Sequence, residues 1–410
     1  MASAIEEFCP SGSAEGVILV RLVHVAPTYW PAFRYGGPIW AVHSLCKALV
    51  RRDHQVKVFT TNVDGPDALD VDIGRPVNRD GVSVHYFPPG FGRRLFRSPR
   101  MNAQLQAAVA NAEFIHLHYI FVWPTLATAR LAESHSVPWC VSPHGALVPE
   151  LVKRKSRWAK YAWLSLFGRY TLENAAFIHA TSNLEAEDAR RFGYDLPPIR
   201  VVPIGVDLPV LKAASDVPAD ISLPAGQGPL LLFLSRISWK KGLDRLIPAL
   251  ARIPAARLVV AGNDEENLTS RLISLARKVG VADRLVFAGP VYGEKKDALL
   301  RSASLLVLPS HSENFGIVVL ESLAMGRPVA VTAEVGLASV VKTAGVGEII
   351  PSDPIAMGDA IAELVKDPAR LNEMGERGRA LVASRYSWDT IAQEMEAAYA
   401  EAIAKKPKMQ

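Results

Sequence analysis

Two glutamates, Glu313 and Glu321, lie eight residues apart, with no other charged side chain between them. The apolar run Leu305–Leu308 precedes them and is typical of a buried strand. Residues 316–325 are apolar nearly all round, which predicts a mostly buried helix that contains Glu321. Because a buried carboxylate is costly without a partner, the hydroxyl groups of a sugar or a ribose would explain both residues. Two ordinary salt bridges are the alternative.

Two cations, Arg236 and Lys241, flank a short loop between the apolar run Leu230–Leu234 and a predicted helix. The amino terminus of a helix already favours an anion, so cations beside it indicate that an anion binds there. Arginine offers a fork of N–H donors and lysine a compact charge, which together suit a diphosphate. We call these two residues the cation pair. A solvated basic loop is the alternative interpretation.

Two further candidates follow predicted strands in the first half of the chain. Gly36 and Gly37 precede a helical segment, and paired glycines let backbone amides approach a phosphate, although such pairs also occur in plain loops. His144 comes just after the apolar run Trp139–Ser142 and is followed by a glycine. Ligands of open α/β sheets bind beyond the carboxyl ends of the strands, which favours a functional His144 over a purely structural one.

The alternation of the chain predicts the scaffold that positions these residues. Short apolar runs alternate with helical segments along most of the sequence, so the expected fold class is α/β, with doubly wound parallel sheets of Rossmann-like type. The predicted strands are Val17–Ala26, Val56–Thr61, Val82–Phe87, Phe114–Tyr119, Trp139–Ser142, Phe177–Thr181, Val201–Ile204, Leu230–Leu234, Leu258–Ala261, Leu285–Ala288, Leu305–Leu308 and Val329–Val331.

The length of the chain and the position of its prolines and glycines predict two domains. With 410 residues, the chain is about twice as long as a usual domain. Residues 208–228 have no periodic pattern and contain several prolines and glycines, which predicts a linker. Residues 16–207 and 229–387 are then the two Rossmann-like domains, and residues 1–15 are a flexible extension.

The composition disfavours several classes of protein. A formal net charge of +5 is too mild to indicate a nucleic-acid partner, and Cys9, Cys46 and Cys140 lack metal-site spacing and suit a reducing compartment. No signal peptide and no apolar stretch of about 18 residues is found, so a cytoplasmic protein is expected. The G-x-G-x-x-G and P-loop motifs are missing, which disfavours a nicotinamide dehydrogenase and a P-loop enzyme.

The motifs together resemble those of the retaining glycosyltransferases of family 4, the group 1 transferases, across nearly the whole chain. The resemblance rests on the Glu-x7-Glu pair, on Ser-Arg-x5-Gly with Lys241, on the Gly-Gly loop and on the His-Gly pair at His144. Residues 48–56 are similar to the family's L-x2-R-G-H-x-V segment, with aspartate where glycine is usual. Residues 202–207 are similar to its I-P-N-G-V-D segment, with isoleucine in place of asparagine.

The resemblance implies the GT-B fold, in which two Rossmann-like domains face a central cleft, and it implies roles for particular residues. Arg236 and Lys241 would bind the diphosphate of the donor. Glu313 would orient the donor sugar, and Glu321 would hold the ribose. His144 would contact the sugar near the reacting carbon. The other residues implied to contact the donor are Gly36, Gly37, Val291, Asn314, Phe315 and Gly316.

The implied reaction moves a hexose from a GDP- or UDP-linked donor to a saccharide acceptor, with retention at the anomeric carbon. No cofactor and no metal ion is implied, because the cation pair would stabilise the leaving diphosphate. The acidic residues Asp70 and Asp72 lie in a polar loop and are predicted to be solvated. The first domain would bind the acceptor and the second the donor, and a final helix, residues 388–404, would cross back to the first domain.

The first predicted domain also carries a segment that mixes basic and aromatic residues. We call residues 153–167 the basic–aromatic segment; four more arginines lie within residues 93–100. Such a mixture on a helix suits an anionic membrane surface, and a solvated helix face that packs on the core is the alternative. The expected acceptor is a lipid-linked precursor of a cell-surface polysaccharide such as lipopolysaccharide, reached by peripheral attachment to the cytoplasmic face of the inner membrane.

Two other functions share this architecture. A sugar-nucleotide 2-epimerase of GT-B fold would release an altered sugar nucleotide and need no acceptor. A non-catalytic subunit that binds sugar nucleotides would be expected to lose His144 or the cation pair. The presence of these residues together with Glu313 and Glu321 favours the transferase.

Overall fold

The computed structural model describes residues 19–154, 157–209, 221 and 223–405, so the predicted extension and most of the predicted linker lie outside the described residues. The strands are β1 (Arg21–Val25), β2 (Gln55–Thr61), β3 (Val63–Asp64), β4 (Asp67–Ala68), β5 (Val77–Arg79), β6 (Val82–Phe87), β7 (Phe114–His118), β8 (Trp139–Ser142), β9 (Phe177–Ala180), β10 (Ile199–Val201), β11 (Leu230–Leu234), β12 (Arg257–Ala261), β13 (Leu285–Gly289), β14 (Leu305–Leu308), β15 (Val329–Val331) and β16 (Gly347–Ile349).

The α-helices alternate with these strands through most of the chain and then follow one another at its end. They are α1 (Gly37–Arg51), α2 (Pro99–Ala110), α3 (Trp123–Ser134), α4 (Pro149–Arg154), α5 (Arg157–Trp163), α6 (Arg169–Glu173), α7 (Asn183–Arg190), α8 (Leu243–Ala249), α9 (Thr269–Lys278), α10 (Gly293–Ser302), α11 (Ile317–Ala324), α12 (Ala338–Ala344), α13 (Pro354–Val365), α14 (Pro368–Arg385) and α15 (Trp388–Ala404).

Two sheets form the centres of two domains, which confirms the predicted α/β class. The first sheet has the strand order β10-β9-β8-β7-β1-β2-β6-β5, and its strands pair in parallel except β5, which is antiparallel to β6. The second sheet has the order β13-β12-β11-β14-β15-β16 and is wholly parallel. The chain reverses its direction of travel across each sheet beside the first strand, so ligand sites are expected near the ends of β1 and β7 and of β11 and β14.

Burial explains why the central strands are continuous apolar runs. Every residue of β11 and of β14 is buried, because helices cover both faces of the second sheet. Successive side chains of β11 enter two separate apolar clusters, with Leu232 on one face and Leu231 and Phe233 on the other. Each buried side chain of this size stabilises the fold by roughly 1.5–3 kcal/mol.

Several short strands differ from the sequence predictions. The strand predicted at Val201–Ile204 ends at Val201, because Pro203 has no N–H to continue the ladder. The strand β16, the antiparallel edge strand β5 and the β3–β4 hairpin were not predicted. Each of them has only two or three residues, so none produces an apolar run or an alternation that a sequence pattern could detect.

The last helix, α15, packs on the first domain rather than on the second. Its residues Trp388, Met395 and Tyr399 are buried in the same apolar cluster as residues of α1. Arg52, just after α1, forms an ion pair of 2.6 Å with Glu396 of α15. The end of the chain therefore supplies part of the core of the first domain.

The turn between α1 and β2 explains one departure from the family pattern. Asp53 stands where the family usually has glycine, and its φ is +67°. Glycine adopts this left-handed conformation without strain, and aspartate is one of the few other residues that also adopt it. The substitution therefore preserves the turn.

Candidate functional site

Loops from the two domains meet at the carboxyl ends of the central strands. A Cβ atom added to Gly36 would lie 3.9 Å from the Nε atom of Arg236, and one added to Gly37 would lie 4.0 Å from Ile317 at the start of α11. The hydroxyl of Ser182, in the first domain, donates a hydrogen bond of 2.9 Å to the carbonyl of Asn314 in the second. The predicted glycine loop and the predicted cation pair therefore lie on opposite sides of one cleft.

Tight packing of the following residue positions Lys241. Gly242 has φ +74°, and a Cβ atom added to it would lie only 1.8 Å from the carbonyl oxygen of Pro309 in the loop after β14. Only glycine allows the two loops to approach so closely. The Lys241 side chain, about 10% exposed, forms an ion pair with Glu313 in the same loop region.

Positive charge accumulates at this end of the second sheet. Burial lowers the pKa of Lys240, and the neighbouring Lys241 and Arg236 lower it further. Arg236 is half exposed and forms an ion pair of 2.9 Å with Glu265. Three cations with two carboxylate partners make a place that can accept an anion.

Both glutamates of the opening motif have lysine partners, as the salt-bridge alternative predicts. The carboxylate of Glu313 pairs with Lys241, and that of Glu321 accepts from Lys296 of α10 at 3.0 Å. Their side chains are 17% and 25% exposed, so neither requires a ligand to satisfy its charge. The other oxygen of each has no hydrogen-bond partner among the described residues, so each can still accept a bond from a hydroxyl group.

The residues between the glutamates divide between the cleft and the core. Asn314 turns toward the first domain, where its amide donates to the hydroxyl of Thr181 at 3.0 Å. Phe315 is buried in the core of the second domain. Gly316 has φ +88° and begins α11 without a side-chain cap, which leaves backbone amides at this helix start for another acceptor. Their predicted contact with the donor stays a prediction.

Val291 lies in the loop that follows β13, as predicted, and its side chain is buried against the apolar cluster of the second domain. A role for Val291 toward the base would therefore use its backbone. That role stays a prediction.

His144 stands at the cleft in a strained conformation. Its φ is +53°, and Tyr119 at the end of the neighbouring strand β7 has φ +66°. The rings of His144 and Tyr119 lie 4.9 Å apart. Burial raises the pKa of Tyr119, and the positive charge of the nearby Arg236 partly opposes this rise. Left-handed backbone at non-glycine residues costs about 1–3 kcal/mol and clusters at functional sites. Burial lowers the pKa of His144 to about 3, so the ring is neutral at physiological pH.

Glu185 is a functional candidate that sequence reasoning missed. Its buried carboxylate accepts hydrogen bonds from the backbone N–H of Gly145 at 2.6 Å and from the N–H and hydroxyl of Thr181 at 2.7 and 2.8 Å. It thereby holds the loop that carries His144. The Ser182-Asn-Leu-Glu185 spacing is that of a helix capping box. This pattern assigns Glu185 a local role at the helix start and does not indicate its hydrogen bond to the distant Gly145.

Replacing Glu185 by alanine should lower the free energy of unfolding by about 3 kcal/mol, because three donors lose a charged acceptor in a buried place. Turnover should fall as well, since the His144 loop loses its anchor. Urea unfolding and initial-rate assays measure the two effects. Glu187→Ala removes an exposed carboxylate from the same helix and is the matched control; equal losses in both variants would contradict the anchoring role.

Because its core contains buried neutral imidazoles, we expect the folded protein to lose stability in acid. Burial, aided by neighbouring imidazoles, lowers the pKa of His24 to about 3 and also lowers those of His116 and His118. Since an unfolded histidine has a pKa of about 6.5, the unfolded chain binds more protons than the folded one below that pH. The free energy of unfolding should be greatest above about pH 6.5 and fall as the pH drops toward 4. Thermal unfolding midpoints that stay constant over this range would contradict the burial of neutral imidazoles.

Two family models match the chain. The model described as "Glycosyl transferase 4-like domain" matches residues 36–205, and the model described as "Glycosyl transferases group 1" matches residues 219–381. The first match includes the glycine loop and His144. The second includes the cation pair and both glutamates.

Relatives of similar length match this chain over most of its sequence. A protein of Xylanimonas cellulosilytica named D-inositol 3-phosphate glycosyltransferase is 31% identical over 94% of this chain and 96% of its own. A protein of the same name from Mycobacterium avium is 34% identical, and the match covers 94% of each chain.

Solved structures share the architecture. Sucrose-phosphate synthase from Thermosynechococcus elongatus has a TM-score of 0.76 and 25% identity, covering 94% of this chain and 99% of that one. HepE of Anabaena, in complex with UDP and glucose, has a TM-score of 0.72 and 18% identity, covering 93% and 100% of the two chains, and shows the same fold. With a relative more than 30% identical along almost its whole length and a family model matching each half, the chain belongs to the group 1 glycosyltransferases and has their GT-B architecture.

Proposed function

We propose that the protein moves a hexose from a nucleotide diphosphate sugar to a saccharide acceptor, with retention at the anomeric carbon and without a metal ion. One observation carries the proposal: Arg236 of the cation pair lies across the cleft from the Gly36 loop, and it is near Tyr119, whose ring packs against that of His144. This arrangement offers fixed positive charge to a diphosphate and an imidazole to the sugar attached to it.

The chemistry follows from where charge develops. As the bond between the anomeric carbon and the phosphate oxygen breaks, negative charge grows on the leaving diphosphate, and fixed cations stabilise it without reorganising. The acceptor hydroxyl forms the new bond on the same face of the sugar, and its proton passes to the departing phosphate oxygen. In this proposal Lys241 and Arg236 hold the diphosphate, and the unpaired oxygens of Glu313 and Glu321 accept bonds from the sugar and the ribose.

A UDP-linked hexose is the first donor to test, and a GDP-linked one the second. The HepE structure of the same fold is described with UDP and glucose. Stabilisation of the full chain by each nucleotide sugar, measured as a rise in the thermal unfolding midpoint, ranks the donors before any acceptor is known.

Two acceptor classes follow from different observations. A lipid-linked saccharide, a precursor of cell-surface polysaccharide, suits the exposed surface of the first domain described below. A phosphorylated cyclitol is the second candidate, because relatives more than 30% identical bear the name D-inositol 3-phosphate glycosyltransferase.

The deciding experiment incubates the full chain and the ranked donor with inositol 3-phosphate or with a lipid extract of membranes. Release of the nucleoside diphosphate that depends on an acceptor, with a product of the donor's anomeric configuration by proton NMR, supports the proposal. An inverted product contradicts retention. An altered sugar nucleotide made without an acceptor indicates an epimerase, and donor stabilisation without turnover indicates a binding subunit. Activity that survives exhaustive chelation supports metal independence.

The basic–aromatic segment presents apolar side chains to solvent. Trp158 of α5 is 75% exposed and Leu166, in the π-helical turn that follows, is 69% exposed. Trp163, by contrast, points inward and donates to the carbonyl of Ile120 at 2.7 Å. Phe91, just before the four arginines of residues 93–100, is 93% exposed. Exposed tryptophan, leucine and phenylalanine among basic residues favour an anionic membrane surface.

The two basic regions border the same loop. The ammonium of Lys160 lies 5.7 Å from the ring centre of Phe121, and the guanidinium of Arg97 lies 5.6 Å from that of Trp123. Both aromatic residues belong to the loop and helix start after β7, next to the cleft. We infer peripheral attachment that would bring the cleft to a lipid-linked acceptor. Among the described residues, no helix has the length and apolar character needed to span a bilayer.

The double variant Trp158→Ser, Leu166→Ser should lose most of its binding to vesicles, since it removes two exposed apolar anchors. Flotation with vesicles of phosphatidylcholine, with and without phosphatidylglycerol, measures the binding. Ile355→Ser, an exposed apolar residue of the second domain, is the control. Flotation that needs no anionic lipid, or that is equal in both variants, would remove the membrane half of the proposal.

A further inference from the structure

Five histidines cluster in the first domain: four lie in its core beneath the candidate site, and the fifth, His144, belongs to the site itself. Three of them, on β1 and β7, are at most 1% exposed. Each ring lies 4.2–5.5 Å from that of a neighbouring histidine, and no carboxylate of a described residue hydrogen-bonds to any of the five. The five are His24, His116, His118, His144 and His179. They form two separate hydrogen-bonded chains.

The direction of the first chain is fixed by a carbonyl group. His179 donates from Nε2 to the carbonyl of Val202 at 2.8 Å, so its Nδ1 must accept from the hydroxyl of Ser142 at 2.6 Å. Ser142 then accepts from Nε2 of His116 at 2.6 Å. The Nδ1 atom of His116 finally accepts from the hydroxyl of Tyr399 at 2.7 Å. Every proton in this chain has one possible position.

The second chain leads to the cleft. Nε2 of His144 and Nδ1 of His118 are 3.0 Å apart, and Nε2 of His118 and Nδ1 of His24 are 3.1 Å apart. Nε2 of His24 ends the chain, fully buried and without a partner among the described residues. Neutral imidazole donates from one nitrogen and accepts at the other, so all three rings must share one direction.

The two directions differ in what they leave at the buried end. If His144 donates to His118, a buried N–H remains at Nε2 of His24 with no acceptor. If His24 donates to His118, only a lone pair remains there. Orphaned buried N–H groups are the rarer of the two in proteins. The second direction is therefore favoured: each ring carries its proton on Nδ1, and Nε2 of His144 accepts.

We propose that His24 and His118 are positioning residues that hold the proton of His144 on Nδ1, so that His144 presents an N–H donor to the cleft. No described residue bonds to this Nδ1 atom, so it is available to an oxygen of the donor sugar. An imidazole without this constraint would exchange between its two tautomers and would present a bare Nδ1, a hydrogen-bond acceptor, to the cleft for part of the time. The identity of the sugar rests on the proposed function, whereas the position of the proton on His144 is independent of it.

The same imidazoles are poor candidates for a metal centre. Ring nitrogens of His24, His116 and His118 lie within 4.8 Å of one another. However, His116 and His118 already use both of their nitrogens in hydrogen bonds. A divalent ion would break both chains and bring two uncompensated charges into the core.

Nitrogen NMR of the ligand-free full chain, labelled with 15N in histidine only, tests the proposal directly. Protonated and bare ring nitrogens have separate 15N shifts, and a His144→Gln sample assigns the signals of His144. The expected result is a proton on Nδ1 of His144 at neutral pH. A proton on Nε2, or a mixture of both, would overturn the proposal whether or not the enzymatic assay succeeds. Zinc in stoichiometric amount in the purified protein would overturn it too.

Variants separate positioning from plain structure. His118→Leu removes the donor to His144 and should give a mixed tautomer and a kcat about tenfold lower, with a smaller change in KM. His118→Asn keeps an N–H near the Nδ1 position and should restore most of both readouts. Ser142→Ala breaks the neighbouring chain and should leave the His144 spectrum unchanged. If His118→Leu keeps a pure Nδ1 tautomer, the positioning role is wrong; if it does not fold, His24→Leu provides the same comparison from one ring further away.

Discussion

Replacing Lys241 by methionine is expected to lower kcat/KM for the nucleotide sugar at least about a hundredfold. A hydrogen bond to a charged group contributes about 1.5–3 kcal/mol, and about 1.4 kcal/mol corresponds to a factor of ten in rate. The loss should exceed that of one such bond, because the variant also leaves the carboxylate of Glu313 without its partner beside the diphosphate. Most of the effect should fall on kcat, since the charge of the leaving group is largest in the transition state. Initial rates over a range of donor concentrations measure it.

Two controls show whether the effect belongs to the site. Lys366→Met removes a lysine from an exposed ion pair with Glu363 and should change neither rate nor stability measurably. Lys241→Met combined with Glu313→Gln removes both charges. It should recover the stability that the single variant loses through its unpaired Glu313 carboxylate, but it should not recover turnover. If Lys241→Met turns over at the normal rate, the assignment of the cation pair is wrong.

Gly242→Ala is expected to abolish activity and to lower the free energy of unfolding by about 2–5 kcal/mol. The added methyl group would meet the carbonyl oxygen of Pro309 at 1.8 Å, and the backbone would also be forced to hold φ +74°. The loop must then withdraw from the second sheet and carry Lys241 away from Glu313. Urea unfolding and the transferase assay measure the two losses.

Gly280→Ala isolates the backbone part of this effect. Gly280 follows α9 in the same domain, has φ +72°, and has no atom within 4 Å of an added Cβ. Its alanine variant should lose only the strain of a left-handed residue, about 1–2 kcal/mol, and keep its activity. Similar stability and activity for the two variants would show that the contact with Pro309 does not position the site.

The sequence predicts best what burial on both faces of a sheet imposes. The strands at Leu230–Leu234, Leu305–Leu308 and Val329–Val331 have the predicted bounds, because a fully buried parallel strand must be continuously apolar. The placement of Arg236 and His144 after strand ends follows from the same pattern, since ligands of such sheets bind there.

What the sequence does not predict depends on partners that are distant along the chain. Glu321 looks unpartnered in its apolar helix because Lys296 comes from another element, α10. Glu185 looks like a helix cap because its bond to Gly145 spans forty residues. A local pattern contains no information about such pairs, so it cannot distinguish a carboxylate that awaits a ligand from one that is already paired.

The packing of α15 on the first domain has a consequence for synthesis. A ribosome completes the first sheet early, but part of the apolar core beneath α1 comes from Trp388, Ile391 and Tyr399. Apolar surface of the amino-terminal half therefore stays exposed to solvent until translation is nearly finished. Truncated chains that end before residue 388 should accordingly aggregate or be degraded, even though they contain both complete sheets.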